Sequence, residues 1–253
     1  MNAVPDQLQL LIDAGNTRIK WALARPGAAL GKWVASGAVT HAELNHLPAS
    51  WPQSGIARAL VANVAGPRLR DQLQLMIPTT AIDWFTSRAQ LDGMHNRYRN
   101  PTQLGCDRFA AALGARALEP GRAIIVATCG TATTIDAVSV EGDFLGGMIL
   151  PGLGLMAASL ARNTAQLPQV EAARTLPAGF ADNTDDAILS GCLAAQAGAI
   201  ERAFAQHGAA ICILSGGAAP FITAQLAVPH RMVDNIVLTG LQRAANASDS
   251  TTG

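Results

Sequence analysis

The sequence predicts an α/β fold built from a duplicated strand–strand–strand–helix module. Residues 8–24, LQLLIDAGNTRIKWALA, form an apolar run that ends at Asp13 and is followed by a turn. Ile19, Trp21 and Leu23 then alternate with Arg18, Lys20 and Ala22, which completes a strand, turn and strand. Residues 122–140, RAIIVATCGTATTIDAVSV, repeat that pattern. With Gly15 set against Gly130, LLIDAGNT aligns with IVATCGTA, and such self-similarity at the start of each half is the mark of duplication.

The remaining elements follow in order. A third strand is expected around Lys32–Ser36, and IARALVANVA (56–65) reads as a further strand. HNRYRNPTQLGCDRFAAALGARAL begins as loop and becomes helical around Leu104, with Phe109, Leu113 and Ala117 on one face. In the second half, EGDFLGGMIL supplies a turn and a third strand. Helices are expected near 152–163 and 184–206, a strand over 209–215 and a helix after Gly216-Gly217. A short strand near 230–233 and a helix over 235–245 close the fold, and the polar tail ASDSTTG is expected to fray. The domain boundary falls near Pro120-Gly121, dividing an N-terminal half, 1–120, from a C-terminal half, 121–253.

Composition narrows the function. Apolar residues make up 49% of the 253 positions and charged ones only 14%, so the chain can build a large core. Eighteen basic residues balance eighteen acidic ones without a basic stripe, and aromatics are sparse, which speaks against nucleic acid. Cys106, Cys129, Cys192 and Cys212 are scattered without a CxxC pair, so a reducing, cytoplasmic setting is expected. The first residues lack the basic and apolar regions of a signal peptide. Phe144 to Ala161 carries no charge, but Pro151 and four glycines break it, so it reads as strand, turn and buried helix and not as a membrane span. His41 and His46 lie five apart with no carboxylate pattern joining them, which makes a zinc site a poor reading.

Several short motifs carry possible chemistry. In D-x-G-N-T (13–17), a glycine lets backbone approach an anion, turn amides can donate to phosphate oxygens, and Asp13 is placed to hold Mg2+. Read alone, the same residues are more simply a hairpin turn. G-T-A-T-T (130–134) is a second candidate, which on its own is a threonine-rich strand. Two such turns, each opening one half of a duplicated fold, could face one another and hold a polyphosphate. Neither G-x-x-x-x-G-K-[ST] nor G-x-G-x-x-G occurs, which removes support for P-loop and Rossmann readings. G-C-D-R (105–108) opens a helix. Asp107 there could orient an acceptor hydroxyl and take its proton, and Arg108 could bind an anionic group; the plain alternative is a first-turn acid beside a surface arginine. N-T-D-D-A (183–187) reads as a capped helix start, and Ser215-Gly216-Gly217 as a turn that a nucleotide could approach.

Taken together and in order, D-A-G-N-T (13–17), Y-R-N-P-T-Q-L-G-C-D-R (98–108), G-T-A-T-T-I-D (130–136), G-G-M-I-L-P-G-L (146–153), N-T-D-D-A (183–187) and S-G-G (215–217) resemble the type III pantothenate kinases, a family that includes Bvg accessory factors. The resemblance runs from about residue 10 to 240. It implies two ribonuclease-H-like halves of the actin-like, acetate and sugar kinase and Hsp70 superfamily. It also implies transfer of the ATP γ-phosphate to pantothenate, giving 4'-phosphopantothenate on the way to coenzyme A. Residue by residue, it implies Asp107 as catalytic base and Asp13 as the Mg2+-associated acid. Gly15, Asn16, Thr17 and Lys20 would bind ATP, together with Gly130, Thr131 and Thr133. Tyr98, Gly105, Asp107 and Arg108 would contact pantothenate. Thr184 would reach it from the neighbouring subunit of a homodimer with shared sites.

One position departs from the family pattern. Many members carry an aspartate two residues before the second-motif glycine, tied to a monovalent-cation site at the dimer interface; here that position is Thr128. An uncharged side chain offers a cation little, so dependence on K+ or NH4+ is expected to be weak or absent. Two other functions remain open at this level: a non-catalytic accessory protein on the same fold, and a kinase of another small hydroxy acid.

Overall fold

The computed structural model describes residues 7–170 and 179–249. These form two compact units. Glu119–Asp234 is one, and the described residues up to Leu118, together with those from Asn235 onward, make the other.

In the first unit, β1 (Leu8–Ala14), β2 (Arg18–Ala24) and β3 (Ala35–Thr40) form an antiparallel meander. A 3₁₀ segment (His41–Ser50) leads to β4 (Ile56–Asn63), α1 (Pro67–Met76) and β5 (Ile82–Trp84). The sheet order is β3-β2-β1-β4-β5, with β4 parallel to β1 and β5 parallel to β4. β1 is buried along nearly its whole length, as a strand covered on both faces must be. Leu10, Ile12 and Ala14 pack on one side with Ile19, Trp21 and Leu23 of β2 and Leu69 and Leu73 of α1. Alternation puts Leu11 and Asp13 on the other side. A small hairpin, β6 (Gln90–Leu91) and β7 (Met94–His95), precedes α2 (Cys106–Leu118). The expected third strand lies later than residues 32–36: β3 is an exposed edge whose bounds come from its pairing with β2, and ASGAVT carries little apolar signal.

The second unit repeats the scheme. It comprises β8 (Ile124–Cys129), β9 (Ala132–Val138), β10 (Phe144–Pro151), α3 (Leu153–Asn163), α4 (Thr184–His207), β11 (Ile211–Ser215), α5 (Ala219–Thr223) and β12 (His230–Met232). Its order, β10-β9-β8-β11-β12, matches the first sheet strand for strand and in every relative direction. Ile125, Ala127 and Cys129 of β8 pack against Leu153 and Ala157 of α3 and Ile188, Cys192 and Leu193 of α4. The uncharged stretch from Phe144 is indeed strand, turn and helix. Among the described residues no helix is long and apolar enough to cross a membrane.

The last helix, α6 (Ile236–Asp249), returns to the first unit and packs along α2. Two glycines make that approach possible. A Cβ on Gly114 would sit 2.8 Å from the Ile236 carbonyl oxygen, and one on Gly240 would collide with the Ala110 carbonyl. Gln242, fully buried on α6, accepts from the Gly31 N–H and the Trp33 indole and donates to the Ala28 and Ala29 carbonyls. The division therefore differs from 1–120 and 121–253: the residues after Asp234 are claimed by the face of α2 and not by the sheet that precedes them.

Candidate active site

The first unit gathers most of the expected residues where β1 ends and α2 begins. Asp13 stands one residue from the end of β1, 8% exposed, opposite Lys20 in the β1–β2 ladder. The Lys20 ammonium is 3.8 Å from its carboxylate. Burial pushes the Asp13 carboxyl up from 3.8 to about 6; the Lys20 charge opposes that rise and the Asp107 charge adds to it. The two carboxylates are therefore near enough to repel, although they lie 94 positions apart in sequence.

Asp107 sits in the first turn of α2, where helix-end amides favour an anion. Gly105 precedes the helix and accepts its first backbone bond, from Phe109 N–H at 3.0 Å. A Cβ at Gly105 would lie 2.6 Å from Asp107 Oδ1, so only glycine leaves that carboxylate its place. Oδ1 also accepts from Arg108 N–H at 2.8 Å. The Arg108 side chain is buried, donates to the Tyr98 hydroxyl at 2.9 Å and stacks over that ring at 5.7 Å. Arg108 and Tyr98 thus come together as one polar pair beside Asp107. Cys106, between Gly105 and Asp107, donates its thiol towards the Asn63 carbonyl; burial raises it to about 11, so it stays protonated and inert.

Gly15, Asn16 and Thr17 form the turn between β1 and β2, with Asn16 and Thr17 exposed. The Gly15 N–H donates to the Arg18 carbonyl at 3.1 Å, which draws the turn tight. In the second unit, Gly130 and Thr131 make the equivalent turn between β8 and β9, both exposed, and Gly130 N–H donates to the Ala132 carbonyl at 3.0 Å. Thr133 differs from its neighbours: it lies within β9, entirely buried, opposite Cys129. Thr128 is partly buried in β8, between Thr134 and Ser215. Gly216 turns the chain after β11 with φ +99°, a conformation that favours glycine, and packs on the Cys129 carbonyl.

Thr184 is the first residue of α4, and the cap before it is Asn183, whose side chain accepts from Asp186 N–H at 3.0 Å. Thr184 lines an apolar groove of about 440 Å³ with Met156, Leu160, Ile188 and Cys192. The edge strand β10 leaves Leu145, Met148 and Ile149 exposed.

Two contributors escaped the sequence reading. Asn96 is buried, donates to Ser87 Oγ and to the Pro101 carbonyl, and accepts from Tyr98 N–H, so it shapes the loop that carries Tyr98. Only its place two residues before a motif tyrosine marks it. His41, considered only as a metal ligand, bonds the Gly15 carbonyl instead. Among the described residues no group of three or more His, Cys, Asp or Glu could by itself hold a metal ion.

The model of the type III pantothenate kinase family matches residues 9–206. A type III pantothenate kinase of Janthinobacterium sp. (strain Marseille) is 55% identical over 251 residues, covering 93% of this chain and 96% of its own. Among solved structures, a Baf family protein of Campylobacter jejuni superposes with a TM-score of 0.64 at 19% identity, over 95% of this chain and 99% of its own. A glucokinase from an Antarctic psychrotroph does so with 0.51 at 15% identity, over 96% and 99%. The last two establish the fold, that of the sugar kinases with its duplicated α/β halves.

Proposed function

The chain belongs to the type III pantothenate kinase family, and from that premise we propose how its residues share the reaction. The protein is an ATP-dependent pantothenate kinase acting in coenzyme A biosynthesis. The pantothenate hydroxyl oxygen attacks the γ-phosphorus, the bond to ADP breaks, and the hydroxyl proton passes to Asp107. In phosphoryl transfer of this kind the catalytic carboxylate mainly orients the nucleophile and takes the proton late. The observation that carries the assignment is Asp107 in the first turn of α2, over Gly105 and next to the Arg108–Tyr98 pair.

Arg108 supplies a cation for the pantothenate carboxylate, and Tyr98 fixes the direction of that guanidinium. Gly15, Asn16, Thr17 and Lys20 are the ATP-binding residues of the first unit, and Gly130, Thr131 and Thr133 those of the second. Thr133, being buried, acts by holding the strand behind its turn. Asp13 suits Mg2+: its carboxyl is buried, repelled by Asp107 and countered by a lysine 3.8 Å away. Among the described residues no group of three or more His, Cys, Asp or Glu gathers here, so water and phosphate oxygens would have to complete the ion's shell. When bound, the ion neutralises charge on the phosphates. Thr128 supports activity without K+ or NH4+. The groove beside Thr184 and the exposed apolar residues of β10 support a homodimer in which Thr184 serves the partner's pantothenate site.

A coupled ADP-release assay with ATP, Mg2+ and pantothenate tests the base. Asp107→Asn is expected to lower kcat by about 10²- to 10⁴-fold, the range for a general base. A variant that keeps most of its kcat would remove Asp107 from that role.

A further inference from the structure

The turn that carries Gly15 and Asn16 is gripped from outside the hairpin. His41 Nε2 lies 2.9 Å from the Gly15 carbonyl oxygen. A carbonyl can only accept, so Nε2 carries the proton and donates. The ladder register brings this about. Arg18, the first residue of β2, pairs with Thr40, the last of β3, so His41 overhangs the end of the sheet beside the turn. Glu43 holds the Thr40 N–H and hydroxyl at 3.0 and 2.9 Å, which fixes the start of the 3₁₀ segment where His41 stands.

The peptide joining Gly15 to Asn16 is planar and trans, so its C=O and N–H point to opposite sides. Tying the oxygen to His41 aims the Asn16 N–H the other way and keeps the plane from flipping. The second unit pins its own turn with main chain alone, one residue further along than the Gly15 equivalent Gly130. Ala132 pairs with Pro151 at the end of the β9–β10 ladder, and the next residue, Gly152, donates its N–H to the Thr131 carbonyl at 2.9 Å. In both copies of the module, the residue immediately after the third strand pins a carbonyl of the turn.

We infer that His41 is a positioning residue for ATP, locking the Gly15–Asn16 peptide so that the turn presents its amide to phosphate. This rests on the reading of that turn as an ATP-binding element. The test is steady-state kinetics of His41→Ala and His41→Gln, with melting temperatures alongside. His41→Ala should raise KM for ATP about five-fold, the worth of one ordinary hydrogen bond. KM for pantothenate and the melting temperature should hold. His41→Gln, whose amide nitrogen can stand where Nε2 does, should recover most of the loss. An unchanged KM for ATP, an equal rise in both KM values, or no recovery by glutamine would overturn the inference. Calorimetric titration of the same three proteins with ATP and Mg2+ reads it without turnover. ATP affinity that depends on His41, in a protein unable to phosphorylate pantothenate, would keep the inference and refute the kinase reading. Affinity indifferent to His41 would refute the inference whatever the turnover.

Discussion

Asp13→Asn is expected to strengthen the fold while ending its activity. The carboxyl of Asp13 rises from 3.8 to about 6, first because it is buried, with the Asp107 charge adding and the Lys20 charge opposing. Its ionised form is therefore disfavoured in the folded state. Below the unfolded value the group is protonated in both states and imposes no penalty; as pH rises through the folded value the penalty reaches its full size. A shift of roughly two units corresponds to about 3 kcal/mol at pH 8, and about half of that at pH 5. Asparagine keeps the shape without the charge. The Lys20 contact, weak at 3.8 Å with the lysine side chain 28% exposed, is already contained in that net shift. At about 2–4 °C per kcal/mol for a chain of this length, the variant should melt roughly 6–12 °C above the wild type at pH 8. The assay is a thermal melt of both proteins, free of divalent cation, from pH 5 to pH 8. The gap should narrow as pH falls. A variant that melts below the wild type at pH 8, or a gap that does not change with pH, would refute burial as the cause.

Two further outcomes are expected. Gly240→Ala drives a methyl into the Ala110 carbonyl, so it should destabilise the first unit by more than the roughly 1–3 kcal/mol of ordinary overpacking, read by urea unfolding. Gly198→Ala, in α4 with nothing near its missing Cβ, is the control and should gain up to about 1 kcal/mol; equal midpoints for the two variants would contradict the close packing of α2 on α6. Activity in K+ should match activity in Na+ at constant ionic strength, because the uncharged side chain of Thr128 offers a cation no counter-charge; a steep rise with K+ would defeat that expectation.

The two central hairpins were legible because their chemistry is local. An apolar run, a small-residue turn and an alternating strand follow one another within 17 residues, and the pattern occurs twice. Helices α3 and α4 declared themselves through Gly152 before one and Asn183 before the other. What stayed hidden depends on partners distant in sequence. β3 is a strand because β2 pairs with it, not because ASGAVT is a strong strand former. The attachment of α6 to α2 rests on the absence of two side chains, Gly114 and Gly240, which reads in sequence as nothing more than weak helix. At the site, Gly105, Asp107 and Arg108 fall within four consecutive residues and were visible together. The approach of Asp107 to Asp13 and the reach of His41 to Gly15 are products of sheet register and helix placement.

The course of the chain through its two units also sets an order of manufacture. The second unit is continuous from Glu119 to Asp234, whereas the first is left at Leu118 and completed only by residues after Asp234. On a ribosome, which releases a chain from its N-terminus onward, the later-encoded unit is fully delivered before the earlier one is. The face of α2 that carries Gly114 waits for Gly240 while all of Glu119–Asp234 is made. A premature stop near the 3' end of the message would thus leave the second unit whole and strip its covering helix from the unit that holds Asp13 and Asp107.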